Sequence, residues 1–204
     1  MSLDDFLDQT IYVLDTETTG LNGYPSDLVV DIAICRVDPK RGTVDNVYSS
    51  VVGYKTEDWP EETKNAWIFL NTDLTVDAVS EAPDAKKVAA DVANILKGRN
   101  VTAFNKDFDL NRFLYHPPWN LHNVIMEADC IMLASKDVCR IEGLYGDYKW
   151  PKLEEAYSMI VKGDPADIRG TQTHRALSDA VMASYVLIEM YRNRQYPRKR
   201  GSMF

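Results

Sequence analysis

The sequence predicts an α/β domain in which a mixed β-sheet is flanked by helices. Three observations predict it. The first 54 residues read as consecutive strands joined by tight turns, the remainder alternates helical and strand patterns, and no repeat, low-complexity tract or linker divides the chain. In order, "IYVLD" (11–15) is an apolar run of strand length, "NGYPSD" (22–27) is turn chemistry, and "LVVDIAICRV" (28–37) is a long β-branched strand. The turn "DPKRG" (38–42) leads into "TVDNVYSSVVGY" (43–54), which completes a three-strand antiparallel meander.

Helical signals follow. "PEETKNAWIFL" (60–70) opens on proline and acids, as a helix N-terminus prefers. "PDAKKVAADVANILKG" (83–98) puts Val88, Ala89, Val92, Ile95 and Leu96 on one face and ends on Gly98. "NVTAFN" (100–105) reads as a fourth strand, and "KDFDLNRFLYH" (106–116) as a short helix halted before Pro117 and Pro118. "NVIMEAD" (123–129) is the last expected strand, while "KLEEAYSMIVKG" (152–163) and "THRALSDAVMASYVLIEMYRNR" (173–194) are helices, the second apolar along one side.

With 204 residues, 45% of them apolar, the chain suits one domain with a proper core. No run approaches the roughly 18 apolar residues of a membrane helix, and the acidic start is no signal peptide. Cys35, Cys130 and Cys139 are odd in number and widely spaced, which argues against a zinc site or disulfide framework and for a reducing cytoplasm. A formal net charge of −8 argues against holding nucleic acid on a broad basic surface, though not against brief handling through a metal site. The exception is the end of the chain. Arg192, Arg194, Arg198, Lys199 and Arg200 come without an acid, and the expected organisation is one domain over 1–195 with a basic tail over 196–204, either a solvated end or a phosphate-contacting arm.

The stretch that points to chemistry is "YVLDTETTGL" (12–21). Side chains at i and i+2 of a strand share a face, so Asp15 and Glu17 project together at the end of the first strand. Two close carboxylates repel, more so when buried, unless one is protonated or a cation lies between them. Hard divalent ions such as Mg²⁺ and Mn²⁺ prefer such oxygen ligands. Further acids must come from elsewhere: Asp107 and Asp109 after the fourth strand, Asp129 after the fifth, or Asp179 in "THRALSDAV", which also offers His174. Five residues along an ideal helix leave two side chains about 140° apart. His174 and Asp179 therefore converge only if His174 precedes the helix, which Gly170, Thr171 and Thr173 favour.

"DTETTG", "N-x-x-F-D" and "H-R-A-L-S-D-A" resemble the three motifs of the DEDDh family of 3′–5′ exonucleases, the DnaQ-like proteins related to polymerase proofreading subunits. The second motif departs from the family pattern, with Phe104 and Lys106 where His and Ala are usual. The resemblance implies an RNase H-like fold and hydrolysis of phosphodiester bonds at a 3′ end to nucleoside 5′-monophosphates. It implies that Asp15, Glu17, Asp109 and Asp179 hold two Mg²⁺ or Mn²⁺ ions and that His174 is the general base. It also implies substrate contacts from Thr16, Thr18, Leu21, Asn105 and Phe108. Lys106 is a further candidate contact to a substrate phosphate, against the alternative of a solvated lysine. The expected partner is a nucleic-acid 3′ end, DNA before RNA, with a polymerase or another replication or repair protein as a second partner. An RNA-trimming enzyme with the same carboxylates is one alternative; a catalytically silent module that binds a nucleic-acid end or a polymerase is another.

Overall fold

A computed structural model describes residues 10–170 and 175–197. Its sheet has five strands, β1 (Ile11–Thr18), β2 (Val29–Asp38), β3 (Thr43–Val51), β4 (Asn100–Ala103) and β5 (Met126–Glu127), in the order β3-β2-β1-β4-β5. β1, β2 and β3 pair antiparallel; β4 runs parallel to β1, and β5 to β4. The expected meander and mixed sheet are therefore present. β5 is shorter than the apolar run around it.

Central β1 is covered on both faces, so all four residues from Ile11 to Leu14 are buried rather than alternating. Ile11 and Val13, with Ala33, Cys35 and Val37 of β2, pack beneath the long C-terminal helix α9 (Ala176–Arg192). Tyr12 and Leu14, with Ile32 and Ile34, face α4 (Ala85–Leu96), whose Val88, Ala89, Val92 and Leu96 form the predicted apolar stripe. Truncating a residue such as Leu14 in this layer costs about 2–5 kcal/mol, because the cavity adds to the lost transfer energy.

The helix expected over 60–70 is two short ones, α1 (Glu61–Lys64) and α2 (Trp67–Asn71), broken where Ala66 turns extended. Ala66 and Ile68 both enter a small third core with Val30, Leu74 and Val79. On a straight helix two positions apart would diverge by about 200°. Helices α3 (Val76–Glu81), α6 (Ile131–Cys139) and α8 (Pro165–Arg169) occur where the sequence pattern shows none; they are too short for a periodic signal. Between them, α7 (Leu153–Ala156) continues as a π turn over Tyr157–Val161.

The helix expected over 106–116 is a π-helix, α5 (Asp107–Leu114), in which, for example, the Tyr115 amide donates five residues back to Leu110. Phe104 and Lys106, the departures from the family pattern, are structural. Phe104 is buried in the α9-side core. Lys106 Nζ donates to Glu127 Oε2 (2.7 Å) and to the Ala128 carbonyl (3.0 Å), fastening the start of α5 to the β5 edge.

The folded body extends past the expected boundary at 195. Tyr196 is 2% exposed and packs in the core, and its hydroxyl donates to the Asp129 carbonyl (2.7 Å). An aromatic ring gains more from burial than its flanking charges lose. Arg198, Lys199 and Arg200 lie outside the described residues. The three cysteines are free and buried. Among the described residues no helix is long and apolar enough to cross a membrane.

Candidate active site

β4 ends at Ala103, paired with Leu14, so β1 continues beyond its parallel neighbour for Asp15 to Thr18 while β2 still supports it. That overhang carries the first two carboxylates. Asp179 reaches them from the first turn of α9, whose N-terminus favours an anion. One carboxylate oxygen each of Asp15, Glu17 and Asp179 all lie within 4.8 Å of one another.

Asp109 arrives from the opposite helical layer. It is 3% exposed on α5, and its Oδ1 accepts both the Thr16 amide (3.1 Å) and the Thr16 hydroxyl (2.7 Å). Thr16 points to the face opposite Asp15 and Glu17, so alternation along one strand fixes three acids at once. In the π-helix, Asp109, Leu110, Phe113 and Leu114 are all buried, whereas Asp107 is exposed and bonded to Asn111. This separates Asp109 from Asp107, which sequence spacing left open. Asp129 is not part of the carboxylate cluster; its carbonyl serves Thr102 and Tyr196.

The electrostatics follow from crowding. Burial, then the charges of Asp109, Asp179, Glu17 and Asp31, push the Asp15 carboxyl well above its ordinary value. Burial, Asp179, Asp31 and Asp109 push Glu17 up to about 9, with Arg169 pulling the other way. Burial raises Asp109 to about 7 against the two hydrogen bonds from Thr16. A purely oxygen donor set, partly buried and with more acids than cations around it, suits a hard divalent ion, so the residues present fit one.

Two arginines unforeseen in the sequence bracket residues 171–174. Arg169 donates from Nε and Nη2 to both oxygens of Asp179 (2.9–3.0 Å) and from Nη1 to Glu154 Oε1 (2.8 Å). Arg175 donates to Asp31 Oδ2 (2.8 Å), and the same oxygen accepts the Ala176 amide (3.3 Å), tying the start of α9 to the sheet. Asp31 stands opposite Glu17 on β2 and is 1% exposed. The signal that marks it is a lone acid between Val30 and Ile32 in an otherwise apolar, buried stretch of strand. His174 lies outside the described residues, but α9 begins at Ala176, after it, as convergence with Asp179 requires.

A groove of about 390 Å³ opens beside Glu17, lined by Thr16, Thr18, Leu21, Trp67, Ile68 and Phe108 among others. Four of the five expected substrate contacts meet here. The fifth, Asn105, is not among the lining residues; its carbonyl accepts the amides of Phe108 and Asp109 at the start of α5. Leu21 is 72% exposed at the groove's edge, its carbonyl held by Arg112 Nη1 (2.9 Å). In the preceding turn a Cβ on Gly20 would lie 2.3 Å from Asp27 Oδ1, so a larger residue there would displace the Asp27 carboxylate that accepts the Asn22 amide. Trp67, 56% exposed, stands in the same groove and was hidden inside the expected 60–70 helix.

The RNase T family model, described as "Exonuclease", matches residues 12–187. The chain belongs to this exonuclease family. The DnaQ-like motif assignment agrees with it. Among curated relatives, the chain is 26% identical over 191 residues to "3′–5′ exonuclease DinG" of Bacillus subtilis, and 26% identical over 186 residues to "DNA polymerase III PolC-type" of the same organism. The matches cover 93% and 91% of this chain but only 18% and 12% of those proteins. E. coli exonuclease I in complex with a dA16 oligonucleotide shares the fold, with a TM-score of 0.61, 16% identity, 92% of this chain and 42% of that one. A 3′-exonuclease described as recognising a histone mRNA stem-loop does so at a TM-score of 0.51 and 14% identity, covering 91% of this chain and 82% of that one.

Proposed function

We propose that this chain is a metal-dependent 3′–5′ exonuclease acting on a DNA 3′ end, single-stranded or frayed, and releasing nucleoside 5′-monophosphates. The observation that carries the reading is the meeting of Asp15, Glu17 and Asp179 within 4.8 Å, with Asp109 fastened alongside through Thr16. These four acids would hold Mg²⁺ or Mn²⁺, in this family's chemistry a pair. Such ions stabilise the attacking and the leaving oxygen of an in-line displacement. Thr16 fixes the Asp109 carboxylate beside β1 through two hydrogen bonds. His174 takes the proton of the attacking water, as an imidazole with an ordinary pKa near 6.5 is suited to do. The groove of Thr18, Leu21, Trp67, Ile68 and Phe108 receives the terminal nucleotides by apolar contact and stacking, which tolerates any base.

DNA is favoured over RNA by the PolC-type and exonuclease I likenesses, and the former makes a polymerase or another replication or repair protein the natural partner. Free, buried cysteines agree with a reducing cytoplasmic setting. A single catalytic domain ending near Tyr196, followed by a basic tail, remains the organisation we infer. The test is release of mononucleotides from a 3′-labelled oligomer with Mg²⁺ or Mn²⁺, comparing DNA and RNA. Asp15→Ala and Asp179→Ala should each reduce it at least 1,000-fold. Unaltered release by either variant would refute the assignment, and faster release from RNA would correct the substrate.

A further inference from the structure

Arg169 answers a question the cluster raises: what neutralises Asp179 when no divalent ion is bound. Its guanidinium covers both carboxylate oxygens. Oδ1 accepts Nε (3.0 Å) and Nη2 (2.9 Å), and Oδ2 accepts Nη2 (3.0 Å). A carboxylate oxygen has two lone-pair positions, and Arg169 makes the two short contacts to Oδ1, with the Ser178 hydroxyl more distant at 3.4 Å. The pair is enclosed, with side-chain exposures of 11% for Arg169 and 12% for Asp179. The remaining fork nitrogen, Nη1, is held by Glu154 at the start of α7 (2.8 Å). Glu154 is more open, at 35%.

We infer that Arg169 is the resident counter-cation of Asp179 and competes with the divalent ion, so that loading the site requires the guanidinium to give up Asp179 and remain on Glu154. Three features support this. The oxygens Arg169 occupies belong to the carboxylate that forms the tight cluster with Asp15 and Glu17. A guanidinium and a divalent ion repel each other across one carboxylate. Glu154 gives the displaced arginine a partner, so its charge is never left buried alone. Arg169 thus acts on the metal through Asp179 and sets the affinity of the site. The inference rests on the metal-dependent reading above.

The experiment measures Mn²⁺ binding to the full chain without nucleic acid, by electron paramagnetic resonance of free Mn²⁺ and by calorimetry. Arg169→Gln should bind Mn²⁺ at least 10-fold more tightly than the unaltered chain, and Arg169→Lys, which keeps the charge but loses the fork, should fall between them. Glu154→Gln should weaken binding several-fold in the presence of Arg169 and have no effect in the Arg169→Gln background. Equal or weaker binding by the two Arg169 variants overturns the inference, because it makes Arg169 a support for Asp179 rather than a competitor. So does a Glu154→Gln effect of equal size in both backgrounds. Should Arg169→Gln fail to fold, Arg169→Lys alone decides the sign. Absence of any Mn²⁺ binding, with Asp15→Asn matching the unaltered chain, instead defeats the underlying metal assignment.

Discussion

Glu17 allows the crowding of acids to be weighed without any assay of activity. Its carboxyl is pushed from an ordinary 4.5 up to about 9, first by burial and then by Asp179, Asp31 and Asp109. At pH 8 in EDTA the folded chain keeps a proton on Glu17 that the unfolded chain releases. The gap from 4.5 to 8, at 1.36 kcal/mol per pH unit, is a penalty of roughly 5 kcal/mol. The sign is fixed. A group whose pKa is raised on folding binds more protons in the folded state, so stability is greatest below about 4.5 and falls as pH rises toward about 9. Glu17→Gln removes the ionisation. With about 3 kcal/mol recovered after local relaxation, Tm at pH 8 should rise by about 6–12 °C, and at pH 5 by little. Thermal unfolding followed by circular dichroism in EDTA at both pH values measures this. Mn²⁺ should narrow the gap at pH 8 by stabilising the unaltered chain more. A variant that melts no higher than the unaltered chain at pH 8, or that gains equally at pH 5, would refute the reasoning.

Thr16→Val removes the hydroxyl donated to Asp109 but keeps the backbone amide. Losing a bond to a charged group costs about 1.5–3 kcal/mol, so Tm should fall by about 3–12 °C in thermal unfolding, and kcat should fall as well, as single-turnover kinetics would register. Trp67→Ala should raise KM for an oligonucleotide about 5- to 100-fold, the worth of one stacked base at about 1–3 kcal/mol, and a KM unchanged across a salt series would remove Trp67 from the groove's function. Asp31→Ala strands Arg175 and frees the Ala176 amide at the start of α9. It should destabilise the chain by about 3 kcal/mol in denaturant titration, and a loss below about 1 kcal/mol would show that Asp73 alone holds Arg175.

Much of this protein was legible in its residues because the relevant interactions are local or periodic. The meander of β1 to β3 is written in strand-length apolar runs and the turns between them. The α4 stripe is written in a 3.6-residue period, and the shared face of Asp15 and Glu17 in the two-residue period of a strand. The sequence pattern places the last helix over 173–194, with a start after His174 only as the condition for its convergence with Asp179; α9 begins at Ala176. What the residues alone did not decide depends on partners far away in the chain. Asp109 rather than Asp107 is buried because the π-helix turns it inward to Thr16, 93 residues earlier, while Asp107 stays exposed. Lys106 is occupied by β5, and the 60–70 helix breaks because a third core needs both Ala66 and Ile68. Arg169 on Asp179 and Arg175 on Asp31 are charge pairs joined across 10 and 144 residues. A side chain's charge is fixed by its identity, but which opposite charge answers it, and whether water is present to screen the two, is settled only when the chain closes around them.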